Sequence, residues 1–261
     1  MATFEQLVDE AQAATFSGWD FSWLAARSTT EPLPWSYRAE VARHAADAGA
    51  MLDMGTGGGE WLSRLVPRPA RTVATEAWPP NVPVAARRLR PAGIWVVQDE
   101  GASGNLAEDA SRGRLPFRDG AFPLITNRHE AFRAAEVGRV LAPGGTFVTQ
   151  QVDTHTSDDF YRLLGLPVPD QPGSWFPLAQ RQLRDAGFTV RRAMAGQELE
   201  RFNDVAAIIY YLRAVSWAVP EFTLDRFEGR LRELHATPGA WPVVIRQPRF
   251  LVIATKDVTS G

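Results

Sequence analysis

The sequence predicts an α/β domain built on a largely parallel sheet, and three observations carry that expectation. From about residue 50, short apolar runs alternate with helix-length stretches of about 10–15 residues, the pattern of βαβ units. An apolar run ending at Met54 passes directly into Gly55-Thr56-Gly57-Gly58-Gly59, a glycine loop that lets the backbone turn sharply and a ligand approach the main chain. The 261 residues are 45% hydrophobic and 22% charged, enough to bury one sizeable core and unlike a disordered chain.

Taken in order, residues 1–48 read as polar-faced helix with an aromatic patch of Trp19, Phe21, Trp23, Trp35 and Tyr37, divided by Pro32 and Pro34. Strands are expected at 50–54, 72–75, 94–97, 124–126 and 146–152, with residues 61–65 opening a helix behind the glycines. A helix over 177–186 leads to a sixth strand beginning at 188–190. Helices over 204–217 and 221–235 follow, capped by Asn203 and Thr223, and a seventh strand at 250–255 closes the sheet. No stretch rich in Pro, Gly or Ser splits the chain, so residues 1–261 form one domain. Its parts are a cap (1–48), a core (49–200), a helical insertion (201–240) and a final strand (241–261). The loop 99–114 is long and polar.

Several function classes are excluded. There is no cysteine, so disulfides, thiolate zinc sites and a cysteine nucleophile are impossible, and a reducing cytoplasm suits the chain. The first twelve residues lack a basic region followed by an apolar stretch, so no secretory signal is expected. The most apolar segment, 205–219, is interrupted by Arg213 and Ser216 and is too short to cross a membrane; it reads as a buried helix. With 28 basic and 30 acidic side chains, there is no general attraction to nucleic acid. Only Lys256 among the basic residues is lysine, and the arginines are scattered.

The glycine loop does not fit a dinucleotide. Counted from Gly55, the third position of G-x-G-x-x-G is Glu60; counted from Gly57 it is Leu62. A carboxylate there would face a pyrophosphate unfavourably. The phosphate-binding G-x-x-x-x-G-K-[ST] is also absent. The spacing is G-x-G-x-G, with Asp53 two residues ahead, which suits a ligand with a cationic centre and an amino group.

Four segments in order resemble class I S-adenosylmethionine-dependent methyltransferases, of the type 11-like group. The first is Leu52-Asp53-Met54-Gly55-Thr56-Gly57-Gly58-Gly59. The second is Thr72-Val73-Ala74-Thr75-Glu76, a strand ending in an acid. The third, Leu115-Pro116-Phe117-Arg118-Asp119-Gly120-Ala121-Phe122, is similar to the family's LPF-x-D-x-x-F run. The fourth, Glu136 to Phe147, is similar to E-x-x-R-V-L-x-P-G-G-x-F. The resemblance implies a seven-stranded Rossmann-like sheet with helices on both faces, an N-terminal helical cap and a helical insertion between the last two strands. It implies S-adenosyl-L-methionine as cofactor, held by Asp53, Gly55, Thr56, Gly57 and Gly59 at the loop. Glu76 would hold the ribose, with Ala77 and with Trp78 covering the adenine. Asp99, or Asp109 in the long loop, would stand near the adenine, and Asn127 and Arg128 would follow the fourth strand.

The implied chemistry is methyl transfer to an oxygen, nitrogen or carbon acceptor, an EC 2.1.1 activity that needs orientation more than acid–base work. A base is required only where the acceptor must lose a proton. His129 is the first candidate, since it titrates near neutrality at the carboxyl end of a strand, and His155 is the second. Each has a plain alternative, a histidine bonded to the sheet edge and a residue leading into a helix. His44 and His235 receive no role. Asp153, His155, Asp158 and Asp159 read as helix-start acids, and no metal is expected.

Nine tryptophans are unusual for this length. Trp19, Trp23, Trp35, Tyr37, Tyr210, Tyr211 and Trp217 lie outside the shared motifs. They either cement helices to the sheet or line a pocket for a flat, apolar small molecule. The expected partner is therefore a small-molecule acceptor, without nucleic acid or membrane; the oligomeric state is not legible. An RNA or protein methyltransferase would call for a basic face or an added recognition domain, and a non-catalytic binder would keep the loop and Glu76 without turnover.

Overall fold

A computed structural model describes residues 2–102, 113–171 and 173–258; Asp109 lies outside the described residues. The elements are α1 (Phe4–Ala13), β1 (Ser28–Glu31), α2 (Tyr37–Ala45), β2 (Ala50–Met54), β3 (Arg71–Glu76), α3 (Val82–Leu89), β4 (Trp95–Gln98), β5 (Phe122–Arg128), α4 (Ala134–Val140) and β6 (Leu141–Val152). They continue with α5 (Asp158–Leu163), α6 (Trp175–Asp185), β7 (Phe188–Phe202), α7 (Val205–Ala214), α8 (Leu224–Ala236) and β8 (Val243–Lys256). One sheet runs β1-β7-β8-β6-β5-β2-β3-β4. Strands β2 to β6 pair in parallel, and β7, β8 and β1 add an antiparallel extension.

The expected α/β sheet with helices on both faces is observed, and alternation along the strands explains it. Ala50, Leu52 and Met54 of β2 and Phe250, Val252 and Ala254 of β8 bury against Val137 of α4 and Leu183 of α6. Met51, Leu251 and Ile253 point the other way, onto Val41 of α2 and Leu89 of α3. Successive strand side chains face opposite sides, so strands buried on both faces read as continuous apolar runs. A third apolar body joins α1, α7 and α8 to Phe160 and Phe202. Among the described residues no helix is long and apolar enough to cross a membrane.

The structure corrects the sequence in three places. There are eight strands rather than seven. The polar tetrapeptide of β1 carries no apolar alternation, and its pairing of Ser28 with Phe202 and Glu31 with Leu199 is imposed by β7. The helix expected at 61–65 is a single 3₁₀ turn, Leu62–Arg64. Pro67 and Pro69 follow within five residues, and the residue before a proline avoids helical geometry. The cap of α7 is Asp204, not Asn203; its carboxylate accepts from the Ala207 amide at 2.8 Å. Thr223 caps α8 as expected.

Asp204 also meets the Arg27 guanidinium at 2.8 Å, tying the cap to the segment ahead of β1. Asp204→Ala is expected to cost about 1–2 kcal/mol, measured by chemical denaturation. A cost below about 0.3 kcal/mol would show that neither contact matters.

Candidate active site

The carboxyl ends of β2, β3 and β5 meet where the strand order reverses, the place where open α/β sheets bind ligands. A cavity of about 730 Å³ opens there, called the outer cavity below. The glycine loop forms its floor. Gly55 has φ +64, and a Cβ at that position would stand 2.4 Å from the Glu130 Cβ, so only glycine passes. Gly58 approaches the Gly18 Cα so closely that a Cβ on it would lie 2.8 Å away, and the Trp19 amide donates to Glu60 Oε1 at 3.3 Å. The segment ahead of β1 is thereby held against the loop.

Four carboxylates line this cavity, Asp53, Glu60, Glu76 and Glu130, against one guanidinium, Arg128. Asp53 is buried and accepts from Thr126 Oγ1 at 2.7 Å; burial pushes its carboxyl up to about 6. Glu76 accepts from the Gly57 amide at 2.6 Å and from the Trp78 amide at 2.8 Å, and burial raises it. Glu130 is pushed up to about 7 by burial and by the neighbouring Glu76 and Asp99 carboxylates. Glu60 pairs with Arg88.

A second, inner cavity of about 440 Å³ lies toward β7 and β8. Trp19, Arg128, His129 and Trp217 line both cavities and mark their junction. The two indoles stack with centroids 5.6 Å apart and planes 12° from parallel. His129 has φ +62, and its amide donates to the Gln150 carbonyl at 2.9 Å. Trp35 Nε1 donates to Gln150 Oε1 at 2.9 Å, and Gln150 Nε2 stands 3.2 Å from His129 Nε2. An indole can only donate, which fixes the Gln150 amide with its NH₂ toward the histidine. His129 Nε2 must therefore accept, and the ring proton sits on Nδ1. Burial and the Arg128 and Arg249 guanidiniums hold the imidazole well below its usual pKa, in the neutral form.

The other sequence candidates fall into two groups. Gly55, Thr56, Gly57 and Trp78 line the outer cavity with Asp53 and Glu76, while Tyr211 lines the inner one. Gly59 closes the loop behind them, where a Cβ would meet Leu89 Cγ at 2.8 Å. Asp99 lines a separate slot of about 10 Å³, which admits a water and not a nucleobase. Ala77 borders that slot through Gly101, and Asn127 is buried in the sheet, accepting from Thr149 Oγ1 at 2.8 Å.

Four aromatics expected in an acceptor pocket are packing residues instead. Trp23 stacks on Tyr210 at 4.7 Å, Tyr37 packs on Trp61 at 5.1 Å, and Trp35 and Tyr210 are buried. His155 lines neither cavity; its Nδ1 lies 3.1 Å from Asp158 at the start of α5. Asp153 accepts from Ser174 and the Trp175 amide, and Asp159 from Arg246. Among the described residues no group of three or more His, Asp or Glu is placed to hold a metal ion. Sequence reasoning missed Arg249, Glu198, Glu200, Gln247 and Phe160 of the inner cavity.

A parallel sheet reversing order at a glycine-floored cavity, with an acid ending the next strand, is a Rossmann-like arrangement. Residues 52–149 match the family model described as a methyltransferase domain, so the resemblance read from the four motifs is borne out. The protein is similar in fold to BH2331 of Bacillus halodurans, provisionally assigned as a methyltransferase, at 18% identity and TM-score 0.54, covering 84% of this chain and 98% of that one. YcgJ of Bacillus subtilis aligns at 17% identity and TM-score 0.54, covering 85% and 98%. A functionally unknown protein of Deinococcus radiodurans R1 aligns at 17% identity and TM-score 0.50, covering 87% and 90%. A search of curated proteins found no match.

Proposed function

We propose that the protein transfers a methyl group from S-adenosylmethionine to a small-molecule acceptor, with the donor in the outer cavity and the acceptor in the inner one. The observation that carries this is the set of four carboxylates around the glycine loop, of which Glu60 is paired with Arg88 while Asp53, Glu76 and Glu130 make no ion pair among the described residues. They favour a cationic donor and oppose a pyrophosphate. Bound there, S-adenosylmethionine would supply an electrophilic methyl group on a sulfonium sulfur. Glu76 has a free lone pair on each oxygen for ribose hydroxyls, and the rim residue Trp78, 64% exposed, offers an indole face to the adenine. Asp53 and Glu130 face the charged end.

The chain's own task is orientation. The stacked Trp19 and Trp217 line the junction and narrow it. An acceptor reaching the junction from the inner cavity approaches the donor along one line. His129 presents Nδ1–H at this point, a donor that orients the acceptor, while its Nε2 is engaged by Gln150 and unavailable as a base. The small volume of the inner cavity suits a metabolite rather than a nucleotide strand or a protein segment.

The melting temperature with S-adenosylhomocysteine, and with NAD as control, tests the donor. A ligand at about 100 times its dissociation constant adds about 2.7 kcal/mol, which is a shift of several degrees at this size. A shift with S-adenosylhomocysteine alone is expected; a shift with NAD alone, or with neither, contradicts the proposal. The tautomer of His129 is a separate prediction. Nitrogen-15 imidazole spectra should show the proton on Nδ1, and Gln150→Leu should raise the ring's pKa. A proton on Nε2 would restore His129 as a candidate base.

A further inference from the structure

The inner cavity has one polar wall and one apolar wall. The polar wall is the far end of the β7–β8 ribbon, which continues past the last residue of β6, Val152, opposite Arg249. On this ribbon Glu198 stands opposite Gln247, and Thr30 of β1 stands opposite Glu200. All of these residues line the cavity. The facing wall is Phe21, Phe160, Val215 and the Trp19–Trp217 stack.

Arg249 is the unusual member of the polar wall. Its side chain is only 7% exposed, and its closest carboxylate, Glu198, is 3.5 Å away. Nη1 donates to Thr156 Oγ1 at 2.9 Å and to the Pro248 carbonyl at 3.1 Å, and Nη2 donates to Gln247. Nε is buried and has no partner. The large majority of buried polar side-chain atoms are hydrogen-bonded, so an unpartnered Nε on a residue that lines a cavity is a donor left for a ligand. Arg128 carries a second guanidinium to the same cavity and makes no side-chain hydrogen bond or ion pair among the described residues. The carboxylates, by contrast, are engaged: Glu198 faces Arg249, and Glu200 accepts from Ser28 Oγ at 2.8 Å. The unmatched groups of the cavity are therefore cationic donors.

We propose that the inner cavity selects an acceptor bearing a carboxylate, received by Arg249 with Arg128 at the mouth, while its apolar body lies against Phe160 and the Trp19–Trp217 stack. This rests on the outer cavity being the donor site. The protein's own acceptors leave the Nε–H of Arg249 open, and a monoanion brings one charge to it. A dianionic phosphate would bring a second charge toward Glu198 and Glu200, so the carboxylate is the better fit.

The test uses the full chain saturated with S-adenosylhomocysteine, titrated calorimetrically with indole-3-acetate and 4-phenylbutyrate, each beside its neutral amide, and with inorganic phosphate. Each acid is expected to bind at least about tenfold more tightly than its amide, and more tightly than phosphate, since a charge-assisted bond is worth about that factor or more. Arg249→Met should remove the preference without changing S-adenosylhomocysteine affinity. Glu198→Gln, which frees Arg249 from its neighbouring charge, should tighten the acids several-fold, and it serves if Arg249→Met does not fold. Equal binding of acid and amide, no binding of either acid, tighter binding of phosphate, or an acid preference that survives Arg249→Met would overturn the proposal. If S-adenosylhomocysteine itself does not bind, the donor assignment has failed; the acid preference is then read on the protein without it and stands or falls separately.

Discussion

Gly55→Ala is expected to weaken S-adenosylhomocysteine binding at least about 100-fold and to lower the melting temperature by several degrees. Two costs add. The backbone at Gly55 has φ +64, where a side chain is strained by about 1–2 kcal/mol. The new Cβ would also overlap the Glu130 Cβ at 2.4 Å and Cγ at 2.5 Å. A Cβ cannot swing away as a side-chain end can, so either the loop or the segment after β5 must move. Both form walls of the outer cavity, and displacing either by an ångström disrupts ligand positioning. The partner substitution Glu130→Ala retains its own Cβ and so should rescue little of the loss. Calorimetric affinity and thermal melts of the same samples check both effects. Binding within threefold of the parent protein would show that the loop does not cradle the ligand.

S-adenosylmethionine should bind more tightly as pH rises from 5.5 to 8, by about tenfold, whereas S-adenosylhomocysteine should change much less. Burial pushes Asp53 to about 6, and burial with two neighbouring carboxylates pushes Glu130 to about 7. Below these values the groups are neutral; above them they add negative charge around a cavity that faces the donor's sulfonium. The product lacks that charge. Glu130→Gln should flatten the pH dependence. The same substitution has a stability sign of its own. A carboxyl raised in the folded state keeps a proton that the unfolded chain releases near 4.5, so its contribution is lost as pH rises through about 7. Glu130→Gln should therefore stabilise the protein at pH 8, by up to about 3 kcal/mol, and leave it little changed at pH 4.5. Parallel pH curves for donor and product would contradict the electrostatic role.

The sheet was legible because its strands are buried on both faces. The run 50–54 carries apolar residues for both layers and coincides with β2, and the glycine loop marks the strand order reversal beside it. The polar strand β1 was not legible, since four residues reading STTE pair only where β7 is already in place. The same limit applied to the inner cavity. Glu198 and Glu200, like Gln247 and Arg249, are spaced two apart, which places each pair on one face of a strand. That signal was present, but it lay beyond the apolar runs at 188–190 and 250–255, and β7 and β8 extend to 15 and 14 residues. Aromatic residues misled in the other direction. Trp35, Tyr37 and Tyr210 have the composition of a pocket and the burial of a core, half-buried Trp23 stacks on Tyr210, and only tertiary packing separates the two roles.

In the proposed reading one cavity holds the methyl donor and opens, beside the Trp19–Trp217 stack, onto a second that holds the acceptor. A crystal structure with S-adenosylhomocysteine tests it most directly. The predicted result places the ribose on Glu76 and the sulfur at the junction, beside His129 and facing the inner cavity. A ligand bound elsewhere, or one whose sulfur is walled off from the inner cavity, would contradict it.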